Sequence, residues 1–207
     1  MTFAELKTKV AAHLDRTNRT DKVGDFINMA QKEIERDWNY NGMSASATGT
    51  LSADNIAFPT RYKDLESLFI SFSSENKLLL KKKWEYMNSV FPYGATEVNT
   101  PKMCASKHSE SKIYVRPYPD TSYSYVLNYY VYSAELAADA DTNWLLDYNW
   151  DALLYGSLLQ AGIYMAGDER IAIWNSKYMD IIRQIRHAEI KENLTGSYQT
   201  VSANMVV

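Results

Sequence analysis

The chain has 207 residues and a mass of 23.7 kDa, which is long enough for one domain with a substantial core. Hydrophobic residues (46%) and charged residues (23%) are close to the average of soluble globular proteins, which excludes a chain disordered throughout. The net charge of −3 argues against a protein that binds duplex DNA through its phosphates, because Lys and Arg contribute most of the affinity for phosphates. No run approaches the roughly 20 apolar residues of a membrane span, and the first residues lack the apolar segment of a signal peptide. We therefore expect a cytoplasmic protein that has no membrane partner.

Two amphipathic helices are predicted at the N-terminus. Thr2 followed by Glu5 has the spacing of a capping box, and an apolar stripe with helical period follows it. The second helix has a longer stripe, which consists of Val23, Phe26, Ile27, Ala30, Ile34 and Trp38. The opposite face carries charged residues, Glu35 among them, and we expect this face to be solvated.

The pattern changes to short, β-rich segments between residues 46 and 136. Turn residues separate these segments, and "PKMCASKH" and "KIYVRPYP" read as two strands around the polar turn "HSES". The last and longest predicted strand is "YSYVLNYYVYSAEL". Helix resumes after residue 136, where Asn143 can cap a short turn and two longer helices follow.

These elements predict an α+β fold in which helices from both ends of the chain share a core. The helical body, with two N-terminal and two C-terminal helices, would comprise residues 1–45 and 137–195. An inserted antiparallel β region would occupy residues 46–136, and an extended C-terminal tail would occupy 196–207. We expect residues 1–207 to form a single domain.

No combination of residues in the sequence resembles an active site. The three histidines, His13, His108 and His187, fall in different elements without metal-ligand spacing, and Cys104 is the only cysteine. The sequence has no glycine-rich phosphate loop and no nucleophile-elbow pattern. We therefore predict no catalytic residue, no metal and no cofactor, and expect that the protein is not an enzyme.

Tyrosine is concentrated between residues 111 and 136. The seven tyrosines of this window are Tyr114, Tyr118, Tyr123, Tyr125, Tyr129, Tyr130 and Tyr132. In the last strand they fall on both faces, which favours a strand covered on both sides, because Tyr suits places where the ring is buried and the hydroxyl stays wet. A protein interface is the favoured interpretation. Core packing, a sugar-binding platform and single-stranded nucleic acid binding remain open.

Five segments in order resemble the head-to-tail adaptor (connector) proteins of tailed bacteriophages. The segments are "FAELKTKVAAHL", "VGDFINMAQKEIERDWNYN", "FPTRYKDLESLFI", "IYVRPYPDTSYSYVLNYYVYSAEL" and "NWLLDYNWDALLYGSLLQAGIYMAGDERIAIWNSKYMDIIRQI". Together they cover nearly the whole chain. The resemblance implies a structural virion protein of the neck, assembled in the host cytoplasm.

The partners that the resemblance implies are the portal protein, tail or nozzle proteins and further copies of the chain in a ring, usually of twelve. Genomic DNA would pass through the lumen without specific binding, and the ring would help to retain it. The resemblance also implies a tail that docks on the portal through Tyr198, Val201, Met205, Val206 and Val207. The seven tyrosines would then meet neighbouring subunits or the phage tail.

Two alternatives remain open. One is another tail or tail-completion component with similar interface chemistry. The other is a single-stranded nucleic acid binding protein that uses Arg116, the tyrosines and the basic run Lys81, Lys82 and Lys83.

Overall fold

A computed structural model describes residues 1–15, 22–72, 75–92, 97–165 and 168–194. These ranges contain six α-helices and eight strands. The helices are α1 (Phe3–Leu14), α2 (Val23–Asp37), α3 (Trp84–Val90), α4 (Trp144–Tyr148), α5 (Trp150–Met165) and α6 (Ile171–Leu194). The strands are β1 (Ser44–Leu51), β2 (Asn55–Ala57), β3 (Tyr62–Phe72), β4 (Glu75–Leu78), β5 (Leu80–Lys81), β6 (Met103–Lys107), β7 (Lys112–Arg116) and β8 (Tyr123–Val131).

The chain divides into two compact units. Residues 1–42 and 133–207 form the first, which we call the helical unit, and residues 43–132 form the second, which we call the sheet unit. The helical unit therefore draws on both ends of the sequence. The expectation of a single domain over residues 1–207 stays a prediction.

Local sequence signals determine how the helical unit begins. The Thr2 hydroxyl accepts a hydrogen bond from the Glu5 amide while the Glu5 carboxylate accepts one from the Thr2 amide, so the predicted capping box is confirmed. The apolar stripe of α1 is buried, and α2 packs against α5, which in turn packs against α6. Asn143 caps α4 by accepting a hydrogen bond from the Leu146 amide, again as predicted.

One polar face of α2 holds the segment that returns from the sheet unit. Asn28 bonds both the amide and the carbonyl of Leu136, and the Gln31 amide donates to the Ala134 carbonyl at 3.0 Å. The Glu35 carboxylate accepts from the Ser133 amide at 3.2 Å. Residues 28, 31 and 35 follow helical spacing, so one face of α2 offers partners to the backbone of three residues in the returning segment.

Glu35 is only 1% exposed, so the expectation that this residue is solvated is wrong. Its carboxylate also accepts a hydrogen bond from the Trp144 indole at 3.4 Å. Buried polar groups need such partners, and here the backbone of the returning segment provides them.

The sheet unit consists of two four-stranded sheets. Their strand orders are β1-β8-β3-β4 and β2-β7-β6-β5. Both sheets contribute to one hydrophobic core, whose buried members are Leu51, Ile56, Leu65, Leu68, Ile70, Leu79, Cys104, Ile113, Val115, Tyr123, Leu127 and Tyr129. Strand β8 pairs with β1 on one side and β3 on the other, so its inward side chains lie at the centre of the first sheet.

The predicted architecture of a four-helix body with one inserted antiparallel β region is wrong. The fold is α+β, but its strands are spread through the middle of the chain over two sheets, and α3 lies between β5 and β6. Strands β5 and β6 pair in parallel, and β3 is longer than β8. The physical reason is that many short apolar strands bury more surface as two facing sheets than as one. The predicted β6–β7 hairpin is confirmed.

We expect Glu35→Ala to lower the free energy of unfolding by about 2–3 kcal/mol, because the Ser133 amide and the Trp144 indole lose a charged acceptor. Urea denaturation followed by tryptophan fluorescence measures this change. The exposed Asp25→Ala on the same helix is the control and should change stability by less than about 0.5 kcal/mol. Equal effects of the two variants would contradict the role of Glu35.

Candidate interaction surfaces

Two of the seven tyrosines belong to the core of the sheet unit. Tyr123 is 4% exposed and Tyr129 is 9% exposed. The Tyr123 hydroxyl donates to the Asp120 carboxylate at 2.5 Å, and burial, together with this hydrogen bond, raises the Tyr123 pKa. The Tyr129 ring stacks on that of Tyr62 with a centroid distance of 5.9 Å. The open alternative of core packing therefore accounts for these two rings.

Tyr125 lies against the backbone of the neighbouring strand. It pairs directly with Gly49, where a Cβ atom would be 2.7 Å from the Tyr125 hydroxyl oxygen. A glycine is therefore needed at this position for the ring to lie across β1. Tyr130 lies on the other face of β8 and is half-buried, and Tyr132 follows the strand with the Lys63 ammonium 5.7 Å from its ring centroid. That these rings take part in a protein interface stays a prediction.

Tyr114 belongs to a cluster of aromatic and basic side chains. Its ring centroid is 4.6 Å from that of Trp84, and the Lys107 ammonium lies 4.7 Å from the Trp84 ring centroid. The Tyr114 hydroxyl donates to Glu110, which raises the Tyr114 pKa to about 12. Lys107 also pairs with Glu110, and these hydrogen bonds from Lys107 and Tyr114 lower the pKa of that carboxyl. The half-buried Tyr118 lies apart, where its amide donates to the Glu97 carbonyl.

Arg116 is part of a buried ion pair. Its side chain is 8% exposed and contacts the Asp54 carboxylate at 2.6 Å. The guanidinium also donates to the Val115 carbonyl and lies 5.7 Å from the Trp84 ring centroid. A guanidinium in this position is not available to a phosphate. The structure thus removes one of the cations that the nucleic acid interpretation requires.

A basic pocket of about 450 Å³ lies beside this cluster. We use this name for the cavity lined by Asp64, Lys81, Lys82, Lys83, Trp84, Glu85, Ser106, Lys107, His108 and Ser109. Lys81 is engaged there, because its ammonium contacts the Asp64 carboxylate at 3.1 Å and the Leu65 carbonyl at 2.5 Å. Lys82 and Lys83 are exposed. Sequence reasoning found the lysine run but not Lys107, since only the pairing of β5 with β6 brings this residue to the run and to the adjacent Trp84.

The helical unit exposes several large apolar side chains. Tyr148 is 82% exposed, at the break between α4 and α5, and Ile163 and Ile173 are 71% and 63% exposed. Helices α2 and α6 also form a groove of about 750 Å³, over the buried side chains of Tyr178 and Ile182. The groove is contiguous and includes apolar side chains such as Met179 and Ile190, which is typical of surfaces that another protein covers. No pattern in the sequence indicated the exposure of Tyr148, which precedes a predicted helix.

The expectation that the protein has no catalytic residue, metal or cofactor stays a prediction. Cys104 is buried, and burial raises its thiol pKa to about 12. No three His, Cys, Asp or Glu side chains converge there as a metal site requires. In the same part of the chain no helix has the length and apolar character of a membrane span. The predicted portal-docking residues, from Tyr198 to Val207, lie outside the described residues.

A comparison with protein families finds one that spans almost the whole sequence. The family described as SU10 adaptor protein matches residues 1–202. This match agrees with the phage head-to-tail adaptors that the ordered segments resemble, so that identification is confirmed. A search of curated proteins finds no match.

The Arg116–Asp54 pair provides a test of the sheet unit. We expect Asp54→Ala to lower the free energy of unfolding by about 3–5 kcal/mol, because it leaves a buried guanidinium without its counter-charge. The double variant Asp54→Ala with Arg116→Met should lose less free energy of unfolding than Asp54→Ala alone, since no unpaired charge remains. Urea denaturation measures both, with the exposed Glu75→Ala as the control. A double variant less stable than Asp54→Ala would contradict the proposed cost of the unpaired charge.

The state of Cys104 is tested by its reactivity. At pH 8 the native thiol should react with Ellman's reagent roughly 100-fold more slowly than the thiol of the urea-unfolded protein, because it is buried and protonated. The variant Ser71→Cys adds an exposed thiol to the same unit, so it should rapidly release one equivalent of thionitrobenzoate per chain. Rapid release from the wild type would show that Cys104 is accessible.

Proposed function

The chain belongs to the SU10 adaptor protein family, and we propose that it forms a ring between portal and tail in the phage neck. The ring completes the neck, helps to retain the packaged DNA and lets it pass. The observation that carries this proposal is the family match over residues 1–202. Adaptors of phage particles are virion components with head and tail proteins as partners. They are in general structural proteins, and we propose no catalysis for this one.

Two chemically different surfaces support the ring. A closed ring of identical subunits needs heterologous interfaces, in which one surface of a subunit meets a different surface of the next. The helical unit offers exposed apolar side chains such as Tyr148 and Ile163, and the sheet unit offers aromatic and basic ones. We propose twelve copies in the ring. The partly exposed tyrosines of the sheet unit, Tyr114, Tyr118, Tyr125, Tyr130 and Tyr132, would meet neighbouring subunits or the tail.

The charge of the chain supports passage of DNA without adhesion. The net charge is −3, and a ring of twelve such chains repels phosphates over a distance of about 8 Å at physiological salt. Binding to single strands is the weaker candidate, because Arg116 and Lys81 already contact Asp54 and Asp64. A cation that is engaged within the protein contributes little to phosphate binding.

Co-sedimentation with the cognate portal tests the proposal. Full-length protein should bind the portal, and a chain that ends at Gly196 should not, because it lacks the docking residues. We expect Met205→Asp with Val206→Asp to weaken binding at least about tenfold, since a charge in an apolar interface is costly. Thr200→Asp with Ser202→Asp is the control, because it adds the same two charges at polar positions of the tail.

The outcomes separate two parts of the proposal. Binding by the full-length protein and equal binding by the truncated one would remove the docking role of the tail but leave the adaptor function. Failure of both proteins to bind would mean that the chain lies elsewhere in the particle, and the proposed position below the portal would be wrong.

A further inference from the structure

We propose that the basic pocket binds the segment Asp147–Asp151 of a neighbouring copy of this chain. The segment reads "DYNWD", and we call it the acidic segment. The proposal names one interface of the ring and therefore rests on the proposed function. Three observations on the two units carry it.

The first observation is that the pocket presents cations without internal counter-charges. Lys82 lies 5.6 Å from the ring centroid of Tyr86, and neither Lys82 nor Lys83 contacts a carboxylate in the described part of the chain. Trp84 forms a half-buried wall next to them. A cavity of about 450 Å³ accommodates one or two side chains rather than a whole helix. The pocket is thus suited to an anionic side chain with an adjacent ring.

The second observation concerns the helical unit, which carries a complementary surface. Residues 135–151 contain five Asp and Glu and no Lys or Arg. Within this stretch Tyr148 is 82% exposed and the Asp147 side chain is 43% exposed, where the chain breaks between α4 and α5. Asp147 Oδ1 accepts a hydrogen bond from the Thr142 hydroxyl at 2.6 Å and lies 3.9 Å from the N-terminal ammonium, and the carboxylate remains partly open to a further cation. An exposed ring beside a carboxylate can contact an ammonium both as an ion pair and through the ring face.

The third observation is the separation of charge between the units. The sheet unit has ten Lys and Arg against eight Asp and Glu, a net charge of +2. The helical unit has twelve Lys and Arg against seventeen Asp and Glu, a net charge of −5. Copies of the chain therefore attract one another when the sheet unit of one meets the helical unit of the next. This arrangement is heterologous, as ring closure requires.

A nucleic acid is the less suitable occupant of the pocket. Asp64 and Glu85 line the cavity and would repel a phosphate chain. The +2 charge of the sheet unit is also far below the basic excess that backbone binding needs. Asp64 and Glu85 also repel a carboxylate, but a single acidic side chain can lie next to Lys82 and Lys83, whereas a phosphate chain would carry successive charges past both carboxylates.

Charge reversal on either side tests the interface. The pocket variant is Lys82→Glu with Lys83→Glu, and the segment variant is Asp147→Lys with Tyr148→Lys. For each variant alone, the concentration that saturates the cognate portal should be at least about tenfold higher than for the wild type, because like charges meet at every subunit contact. An equimolar mixture should recover the wild-type value, since the two variants can alternate with opposite charges facing each other.

The control variant is Lys77→Glu with Lys102→Glu. It changes the charge of the sheet unit by the same amount at exposed lysines outside the pocket, and it should saturate the portal as the wild type does. Melting curves check that every variant folds. The substituted side chains are exposed, so we expect melting temperatures within a few degrees of the wild type.

Other results overturn the proposal. If both variants bind the portal like the wild type, or if the mixture does not recover, the pocket does not receive the acidic segment. If only the pocket variant is impaired and it also loses retention of a single-stranded oligonucleotide, the occupant is a nucleic acid. If the wild type itself does not bind the portal, the proposed function fails and this inference fails with it.

Discussion

The fold of the helical unit depends on the hydrogen bonds between the polar face of α2 and residues 133–136. The chain leaves this unit after residue 42 and returns at residue 133, and its two ends must share one core. Asn28, Gln31 and Glu35 form hydrogen bonds with the returning backbone. Gln31 and Glu35 also accept hydrogen bonds from Asn143 and Trp144, at the start of α4. The same polar face thus positions the first C-terminal helix against the N-terminal ones.

The tyrosine-rich strand has a structural role before it has any role in recognition. Strand β8 is an inner strand of its sheet, so its inward positions must be large enough to reach the facing sheet. Tyr123 and Tyr129 meet this requirement because their hydroxyls or rings find partners at the margin of the core, namely Asp120, Thr100 and Tyr62. Tyrosine here combines apolar volume with a polar end. The outer face of β8 and the cluster around Tyr114 are the aromatic surfaces outside the core.

Features that depend on neighbouring residues could be predicted from the sequence. The capping box at Thr2, the cap at Asn143 and the hairpin of β6 and β7 arise from contacts within a few residues, and all three are present. Pairing between distant strands could not be predicted, because β1 and β8 are about 80 residues apart and no local pattern records their register. The buried state of Glu35 also could not be predicted, since its partners are about 100 residues away.

The same limit applies to the interaction surfaces. The run from Lys81 to Lys83 is visible in the sequence, but its surroundings become a pocket only when β5 pairs with β6. The contact between Arg116 and Asp54 joins residues 62 positions apart, and it weakens the alternative of single-stranded nucleic acid binding. The resemblance predicted the family correctly because it uses the order of segments along the chain, which does not require the register of the sheets.

A cryo-electron microscopy reconstruction of the virion neck is the most direct test of the central claim. The account predicts a closed ring of this chain between portal and tail, with side-chain density that matches both units. Density for the chain at another position of the particle, or a neck in which other proteins fill the space below the portal, would contradict it.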